Sequence, residues 1–153
     1  MAECKIQTRV NASQERVFDV FADLANSATR LSGLSCVDIL TQGPVGVGTR
    51  WRETRVLFGK AATEEMEITA FDRPNGYSVK AESHGALYTS HFHFAEETGG
   101  VRVTTVFKAE PQTFTAKVLT MLMSSMMMSS VRKALEQDMA DLKAFIEGEH
   151  SAA

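Results

Sequence analysis

The sequence contains one long stretch without helix-breaking residues. Residues 112–147 hold neither glycine nor proline, whereas residues 35–109 show a period-two alternation that glycine, proline and asparagine interrupt repeatedly. The first pattern predicts a single long helix, and the second predicts antiparallel strands joined by short hairpins. Because a hairpin sheet is apolar on one face only, that face needs a cover, which the helix can supply. We therefore expect an α+β fold in which a long C-terminal helix packs on an antiparallel sheet.

The apolar residues of this helix form a stripe along its length. They recur at steps of three, four or seven and comprise Phe114, Val118, Met121, Met128, Leu135, Met139 and Leu142. Residues 112–131 carry one charge, Lys117, whereas the second half has the charge pattern of an ordinary surface helix. Serine and threonine interrupt the apolar first half, and about 18 or more apolar residues are needed to cross a bilayer. We therefore predict no integral membrane segment.

The rest of the chain predicts one N-terminal strand, two short helices and six further strands. Residues 4–10 alternate as a strand, and Asn11 or Ser13 can cap an amphipathic helix over residues 13–24. A second short helix is expected at residues 27–31. The six strands, which bring the total to seven, lie near residues 36–42, 49–58, 64–71, 77–83, 87–95 and 101–109.

Size, charge and cysteine content narrow the class of protein. With 153 residues and a formal charge of -3, the chain is expected to form one domain and to bind no nucleic acid, because it has no basic run that could follow a phosphate backbone. Cys4 and Cys36 form no C-x-x-C pair and are expected to be free thiols. The first ten residues lack the apolar core of a secretory signal, so a cytoplasmic location is expected.

Five short motifs, in this order, resemble one known superfamily. They are N-A-S-Q-E-R-V-F-D-V-F-A-D at 11–23, G-P-V-G-V-G-T-R-W-R-E at 43–53, I-T-A-F-D-R-P-N at 68–75, G-G-V-R-V-T at 99–104 and D-M-A-D-L-K-A-F-I-E at 138–147. The chain is similar to the START-like (SRPBCC) superfamily, which includes polyketide cyclases and dehydratases, lipid-transfer domains and plant hormone receptors. The resemblance implies a single domain over residues 1–150 with the helix-grip fold. In that fold a curved seven-stranded antiparallel sheet wraps around the long C-terminal helix, two short helices follow the first strand, and an elongated cavity lies between sheet and helix.

The inner face of the sheet and the first half of the helix supply the predicted lining of that cavity. Methionine suits irregular apolar ligands because its side chain is unbranched and polarizable. Five methionines fall within residues 121–128, and core filling is the alternative interpretation for each of Met121, Met123, Met126, Met127 and Met128. The predicted ligand-binding residues are Trp51, Glu53, Arg55, Met66, Ile68, Tyr77, Val79, Tyr88, Phe92, Val103, Phe107, Met121 and Met128.

Two charged residues follow the single tryptophan at period two. This alternation turns Glu53 and Arg55 toward the inner face, where buried charges need partners. We expect them to form the polar end of the cavity, together with Tyr88, Ser90 or Thr105, and to contact a carbonyl or hydroxyl group of the ligand. The alternative is that the two charges pair with each other near a strand end or reach solvent.

Two other motifs have simpler explanations than a metal or nucleotide site. His91 and His93 match part of a cupin metal motif, but the second half of that motif is missing, and turning the histidines inward would expose Phe92 and Phe94. We predict outward-facing histidines and no metal. The glycine loop at 43–48 leads into a strand, so it is expected to be a turn, which the resemblance places beside the cavity entrance.

The expected function is the binding or transport of a small hydrophobic molecule, such as a lipid, an isoprenoid or an aromatic polyketide-like compound. The alternative is an enzyme of the polyketide cyclase or dehydratase type, with Glu53, Arg55 and Tyr88 as candidate catalytic residues. No cofactor is expected in either case. Binding of a partner protein through the methionine-rich face and formation of a homodimer stay open.

Overall fold

The computed structural model describes residues 2–57, 59–83 and 85–152, with the side chains of these residues other than 57, 119–127 and 149–152. Strand β1 (Ala2–Val10) is followed by helix α1 (Gln14–Phe21), a 3-10 turn (Leu24–Asn26) and the short helix α2 (Ser27–Arg30). Six strands come next: β2 (Leu34–Ile39), β3 (Arg50–Leu57), β4 (Lys60–Asp72), β5 (Gly76–Ser83), β6 (Ala86–Glu97) and β7 (Gly100–Pro111). The long helix α3 spans Phe114–Ala152.

The seven strands form one antiparallel sheet in the order β1-β7-β6-β5-β4-β3-β2. Each strand from β2 to β7 pairs with the next one along the chain, and β1 returns to pair with β7. The register shifts between Leu34 and Cys36 and between Ile68 and Ala70. Such irregularities bend a strand and increase its twist, and they contribute to a curved sheet with a concave, apolar face.

Helix α1 begins where the sequence provides a cap. The Ser13 hydroxyl accepts a hydrogen bond from the backbone N–H of Arg16 at 3.2 Å, which satisfies one of the free donors of the first turn. Val17 and Phe18 are completely buried against the sheet. This short helix therefore fills part of the concave face with its apolar side.

Helix α3 lies closest to β1 and also approaches α1, β7 and α2. Its C-terminal half is fixed to the end of β1 by two polar contacts. The Glu147 carboxylate accepts the backbone N–H of Asn11 at 2.9 Å, and the Lys143 ammonium donates to the carbonyl of Arg9. Within the described residues, no helix has both the length and the hydropathy needed to cross a bilayer.

The predicted fold class is confirmed: the protein has a helix-grip fold with a seven-stranded curved sheet, a long C-terminal helix and short helices after the first strand. Several predicted boundaries were wrong. Helix α1 ends at Phe21 because the chain tightens into a 3-10 turn three residues later, and β4 begins at Lys60 because Gly59, at φ 74°, lets it pair directly with β3. Helix α3 runs past Gly148, a residue that the sequence pattern had placed outside it.

Candidate functional site

One half of the concave face is closed by α1. Phe18 lies edge-on to Phe71, Tyr77 and Phe94, with ring centroids 5.2, 5.7 and 5.3 Å away. Edge-to-face packing of this kind adds to the burial of aromatic area. Five of the predicted ligand-binding residues share this buried cluster and are at most 6% exposed: Trp51, Ile68, Tyr77, Val79 and Val103.

The hydroxyl group of Tyr77 is occupied within this closed half. It donates a hydrogen bond to the backbone carbonyl of Phe21 at 3.1 Å. Burial, followed by the negative charge of Glu53, raises the pKa of Tyr77 well above its ordinary value. The side chain is therefore a protonated donor that ties α1 to the sheet.

The other half of the concave face is only partly covered. Five inward-facing residues, which we call the open floor, remain half-buried there: Met66, Tyr88, Ser90, Phe92 and Phe107. Four of them lie side by side, because Ser90 is opposite Phe107, and Tyr88 and Phe92 are each two residues away on the same face of β6. Met66 lies on β4, separated from Tyr88 by the buried Ala81 of β5. The rings of Tyr88 and Phe107 stack with centroids 5.9 Å apart, and Met128 of α3 packs against the adjoining core. The open floor is therefore mostly apolar and largely aromatic, and it is continuous across β6 and β7.

A charged cluster lies on the concave side of β3. The guanidinium of Arg55 contacts both carboxylate oxygens of Asp138 on α3, with nitrogen–oxygen distances of 3.1 Å. The same guanidinium lies 3.5 Å from the Glu53 carboxylate. The exposed fractions of the three side chains are 21% for Arg55, 13% for Glu53 and 19% for Asp138, so the cluster is mostly withdrawn from water. It also links α3 to β3, which four strands separate from β1 in the sheet.

The two carboxylates of this cluster compete for one guanidinium. Burial raises the pKa of Glu53, and the charge of Asp138 raises it further, although Arg55 and a hydrogen bond from the Trp51 side chain act in the opposite direction. Burial likewise raises the pKa of Asp138 against the lowering effect of Arg55. One fixed positive charge thus faces two acids that hold their protons more tightly than exposed carboxyls do. The cluster can offer a ligand the guanidinium as a hydrogen-bond donor and the two carboxyl groups as acceptors.

A second polar group lies on the neighbouring strands, next to the open floor. The Ser83 hydroxyl donates to the Glu64 carboxylate at 3.1 Å, and Glu64 is directly opposite Glu53 in the β3–β4 pairing. Burial and then the negative charge of Glu64 raise the pKa of Tyr88. Tyr88 therefore stays protonated at neutral pH and can donate a hydrogen bond at the edge of the open floor.

Most predicted site residues do lie on the concave face, but they fall into different surroundings. Glu53 and Arg55 face inward as predicted and lie close to each other, which was the alternative to a contact with a ligand. The alternation that turned them inward predicted no partner on the helix. Asp138 was missed because it belongs to the charged half of α3. A signal was present, since Asp138 follows Leu135 by three residues and precedes Leu142 by four, so it lies on the apolar stripe. The predicted lining residue Met121, with Met123, Met126 and Met127, falls outside the described side chains.

The histidine pair lies on the convex face and the glycine loop is a turn, as predicted. His91 and His93 are exposed on the convex face, where a ring nitrogen of His91 lies 2.7 Å from the Ser78 hydroxyl. The described residues include no group of three potential ligands placed to hold a metal ion. The loop at 43–48 is a turn with positive φ at Gly43 and Gly48. It is tied to β4 by the Gly48 N–H, which donates to the carbonyl of Ile68 at 2.9 Å.

Comparisons with known proteins agree with this architecture. A comparison with curated proteins gives no match. Among solved structures, TTHA0849 from Thermus thermophilus has a TM-score of 0.81 and 19% identity, over 97% of this chain and 99% of that one. The di-domain ARO/CYC protein BexL from the BE-7585A biosynthetic pathway has a TM-score of 0.76 and 20% identity, over 93% of this chain and 48% of that one. Ginseng major latex-like protein 151 from Panax ginseng has a TM-score of 0.75 and 15% identity, over 94% of this chain and 96% of that one.

At these identities the solved structures establish a shared fold and no shared activity. The family match is more specific, because a model of sequence conservation defines it. That model describes polyketide cyclase/dehydrase and lipid transport proteins and matches residues 1–147. The chain belongs to the polyketide cyclase/dehydrase and lipid transport family.

Proposed function

We propose that this protein binds a small hydrophobic molecule between its curved sheet and α3. The ligand is a lipid, an isoprenoid or an aromatic polyketide-like compound that lies on the open floor. The observation that carries the proposal is the half-buried state of the open floor in a protein whose neighbouring concave residues are fully packed. Aromatic side chains that face inward and are only partly covered are suited to a ligand with an apolar surface.

The energetics favour this occupant. Covering the open floor with apolar atoms would gain about 25 cal/mol for each Å² removed from water. The charged cluster of Glu53, Arg55 and Asp138 lies on the same face and offers donors to an oxygen atom of the ligand. Apolar burial would therefore supply affinity, and the polar cluster would set the orientation.

The binding proposal is tested by filling the open floor. Ser90 lies between Val79 and Phe107 on the concave face, so a phenylalanine at this position would occupy ligand space. The matched control is Thr89→Phe, one residue earlier on the same strand, which projects from the convex face between Lys80 and Lys108. We expect Ser90→Phe to weaken the binding of 1-anilinonaphthalene-8-sulfonate about tenfold or more, a loss of about 1.4 kcal/mol.

The readout is the probe's fluorescence in a titration of each folded variant, with organic extracts of the freshly purified proteins analysed in parallel. Wild type and Thr89→Phe are expected to bind the probe alike and to carry the same co-purified hydrophobic compounds. Equal binding by Ser90→Phe and wild type would show that the open floor is not the ligand site. Absence of any bound or extracted hydrophobic compound in wild type would remove the proposal altogether.

A cofactor-independent enzyme of the cyclase or dehydratase type is the second candidate. The raised pKa of Glu53 favours it, since a carboxyl that keeps its proton closer to neutral pH can act as a general acid or base. Arg55 and the protonated Tyr88 would then position a carbonyl group of the substrate. With a poly-β-ketone thioester as substrate, Glu53→Gln should abolish turnover and leave binding largely intact, whereas a carrier would show only a changed affinity.

The remaining predictions accompany this proposal. The family match over residues 1–147 supports a single domain over residues 1–150. The cytoplasmic location, the homodimer and the lack of a cofactor or nucleic-acid partner stay predictions. Gel filtration combined with light scattering tests the oligomeric state directly.

A further inference from the structure

Thr105 holds a buried hydroxyl group that has no hydrogen-bond partner among the described residues. The residue is 1% exposed and lies on the concave face of β7. Nearly all buried polar groups in proteins have a partner, and an unpaired one costs free energy. Valine has almost the same shape without the hydroxyl, so packing alone does not account for a threonine here.

Thr105 borders the open floor on one side. Phe92 on β6 is directly opposite Thr105, and Phe107 lies two residues further on the same face of β7. The ring of Phe92 stacks on Tyr77 of β5 at a centroid distance of 4.6 Å and also lies edge-on to Phe21 of α1. Thr105 therefore lies beside the half-buried rings of Phe92 and Phe107, while its other neighbours on this face, Ile6 of β1 and Val103, belong to the core.

We propose that the Thr105 hydroxyl is a specificity contact that donates a hydrogen bond to a ketone or phenol oxygen of the ligand. This inference rests on the proposed function and narrows its ligand class to oxygenated ring systems, as distinct from hydrocarbon chains. The ligand oxygen reaches the hydroxyl when the ring of Phe92 or Phe107 turns aside. No protein group competes for the hydroxyl among the described residues, so the full hydrogen bond is gained on binding.

The test uses two pairs of probes that differ in one carbonyl group. They are 1-tetralone with its hydrocarbon counterpart tetralin, and anthrone with 9,10-dihydroanthracene. Calorimetric titration gives the affinity of each probe for wild type and for Thr105→Val, Thr105→Ser and Thr8→Val. Thr8 is the matched control, since it lies on the same face of the adjacent strand.

We expect Thr105→Val to weaken ketone binding about fivefold, as one neutral hydrogen bond predicts, and to leave hydrocarbon binding unchanged. Thr105→Ser should retain the preference for ketones, and Thr8→Val should match wild type. The midpoint of urea unfolding of ligand-free Thr105→Val should equal or exceed that of wild type, because no internal hydrogen bond is lost.

Five results would overturn the inference. An equal loss for ketone and hydrocarbon would indicate packing alone, and unchanged ketone affinity would mean that the hydroxyl touches no ligand. A lower unfolding midpoint for ligand-free Thr105→Val would mean that the hydroxyl has a partner inside the protein. If wild type binds hydrocarbon and ketone equally, the proposed hydrophobic site stands but the proposed hydrogen bond from Thr105 is wrong. If wild type binds neither probe of either pair, the proposed site and the proposed hydrogen bond are both wrong.

Discussion

The two halves of the concave face are built from the same kinds of residue but are packed differently. In the half under α1, Phe18 fits against three aromatic rings and is completely buried. In the other half, Tyr88 and Phe107 stack on each other and stay half-buried. Alternation along the strands produced both surfaces, so the difference comes from what covers them.

The two helices that cover the concave face explain why its halves are packed differently. Helix α1 is eight residues long and brings Phe18 and Phe21 to only part of the sheet. Helix α3 lies closest to the β1 edge and reaches β3 through the Arg55–Asp138 ion pair. The closed half therefore contributes more buried aromatic area to the fold, and the open half is where we propose that a ligand binds. Changes in the two halves should have different consequences.

The largest expected effect is the loss of Phe18. Phe18→Ala removes a completely buried ring, which typically costs about 3–5 kcal/mol of unfolding free energy because a cavity remains. Phe107→Ala removes a half-buried ring and should cost about 1–2 kcal/mol, while weakening the binding of a hydrophobic probe. Urea unfolding followed by circular dichroism measures both. Similar costs for the two variants would contradict the distinction between a closed and an open half.

The second effect concerns the ion pairs of the two faces. Arg55→Met leaves two mostly buried carboxylates without their cation and should destabilise the fold by about 2 kcal/mol, less than for a fully buried pair because water still reaches the group. The control is Arg50→Met on the convex face, whose partner Glu65 is 44% exposed. Exposed pairs contribute little, so the control should unfold at nearly the wild-type urea concentration.

If Arg55→Met unfolds like Arg50→Met, the concave cluster is as well solvated as the surface pair. A double variant, Arg55→Met with Asp138→Leu, sharpens the result, because it removes one of the stranded charges. It should recover part of the lost stability. A further loss in the double variant would mean that Asp138 stabilises the fold independently of Arg55.

The sequence predicted the strands, their inward faces and the long helix because each depends on local alternation or on the absence of breakers. It predicted the inward turn of Glu53 and Arg55 for the same reason. It did not predict Asp138, whose contact with Arg55 spans 83 residues and depends on how α3 lies across the sheet. Long-range placement is set by packing between layers, which no single segment encodes.

The same reason explains why the predicted lining was too broad. Trp51, Ile68 and Val79 face the concave side as alternation requires, yet they are at most 5% exposed. All three belong to the same buried cluster as Val17, Phe18 and Phe21 of α1. The apolar stripe of α1 predicted that it would pack on an apolar face, but it contains no information about which half it would cover. The open floor and the core differ in burial, which depends on the three-dimensional packing of the helices on the sheet.

The smallest expected effect is a change in how stability depends on pH. Because burial raises the pKa of Glu53 in the folded protein above its ordinary value of 4.5, the folded state keeps this proton when the unfolded chain releases it. Below pH 4.5 Glu53 is protonated in both states and has no charge to desolvate. As the pH rises through the raised pKa, the stability of wild type should fall relative to Glu53→Gln. Glu147 should show the opposite dependence on pH, because the hydrogen bond from the Asn11 backbone lowers its pKa. Wild type should therefore gain stability relative to Glu147→Gln as the pH rises toward 4.5. Urea unfolding of the three proteins between roughly pH 3 and pH 8 gives both slopes. A slope of the same sign as that of Glu147 would show that the attraction of Arg55 for Glu53 outweighs the effect of burial.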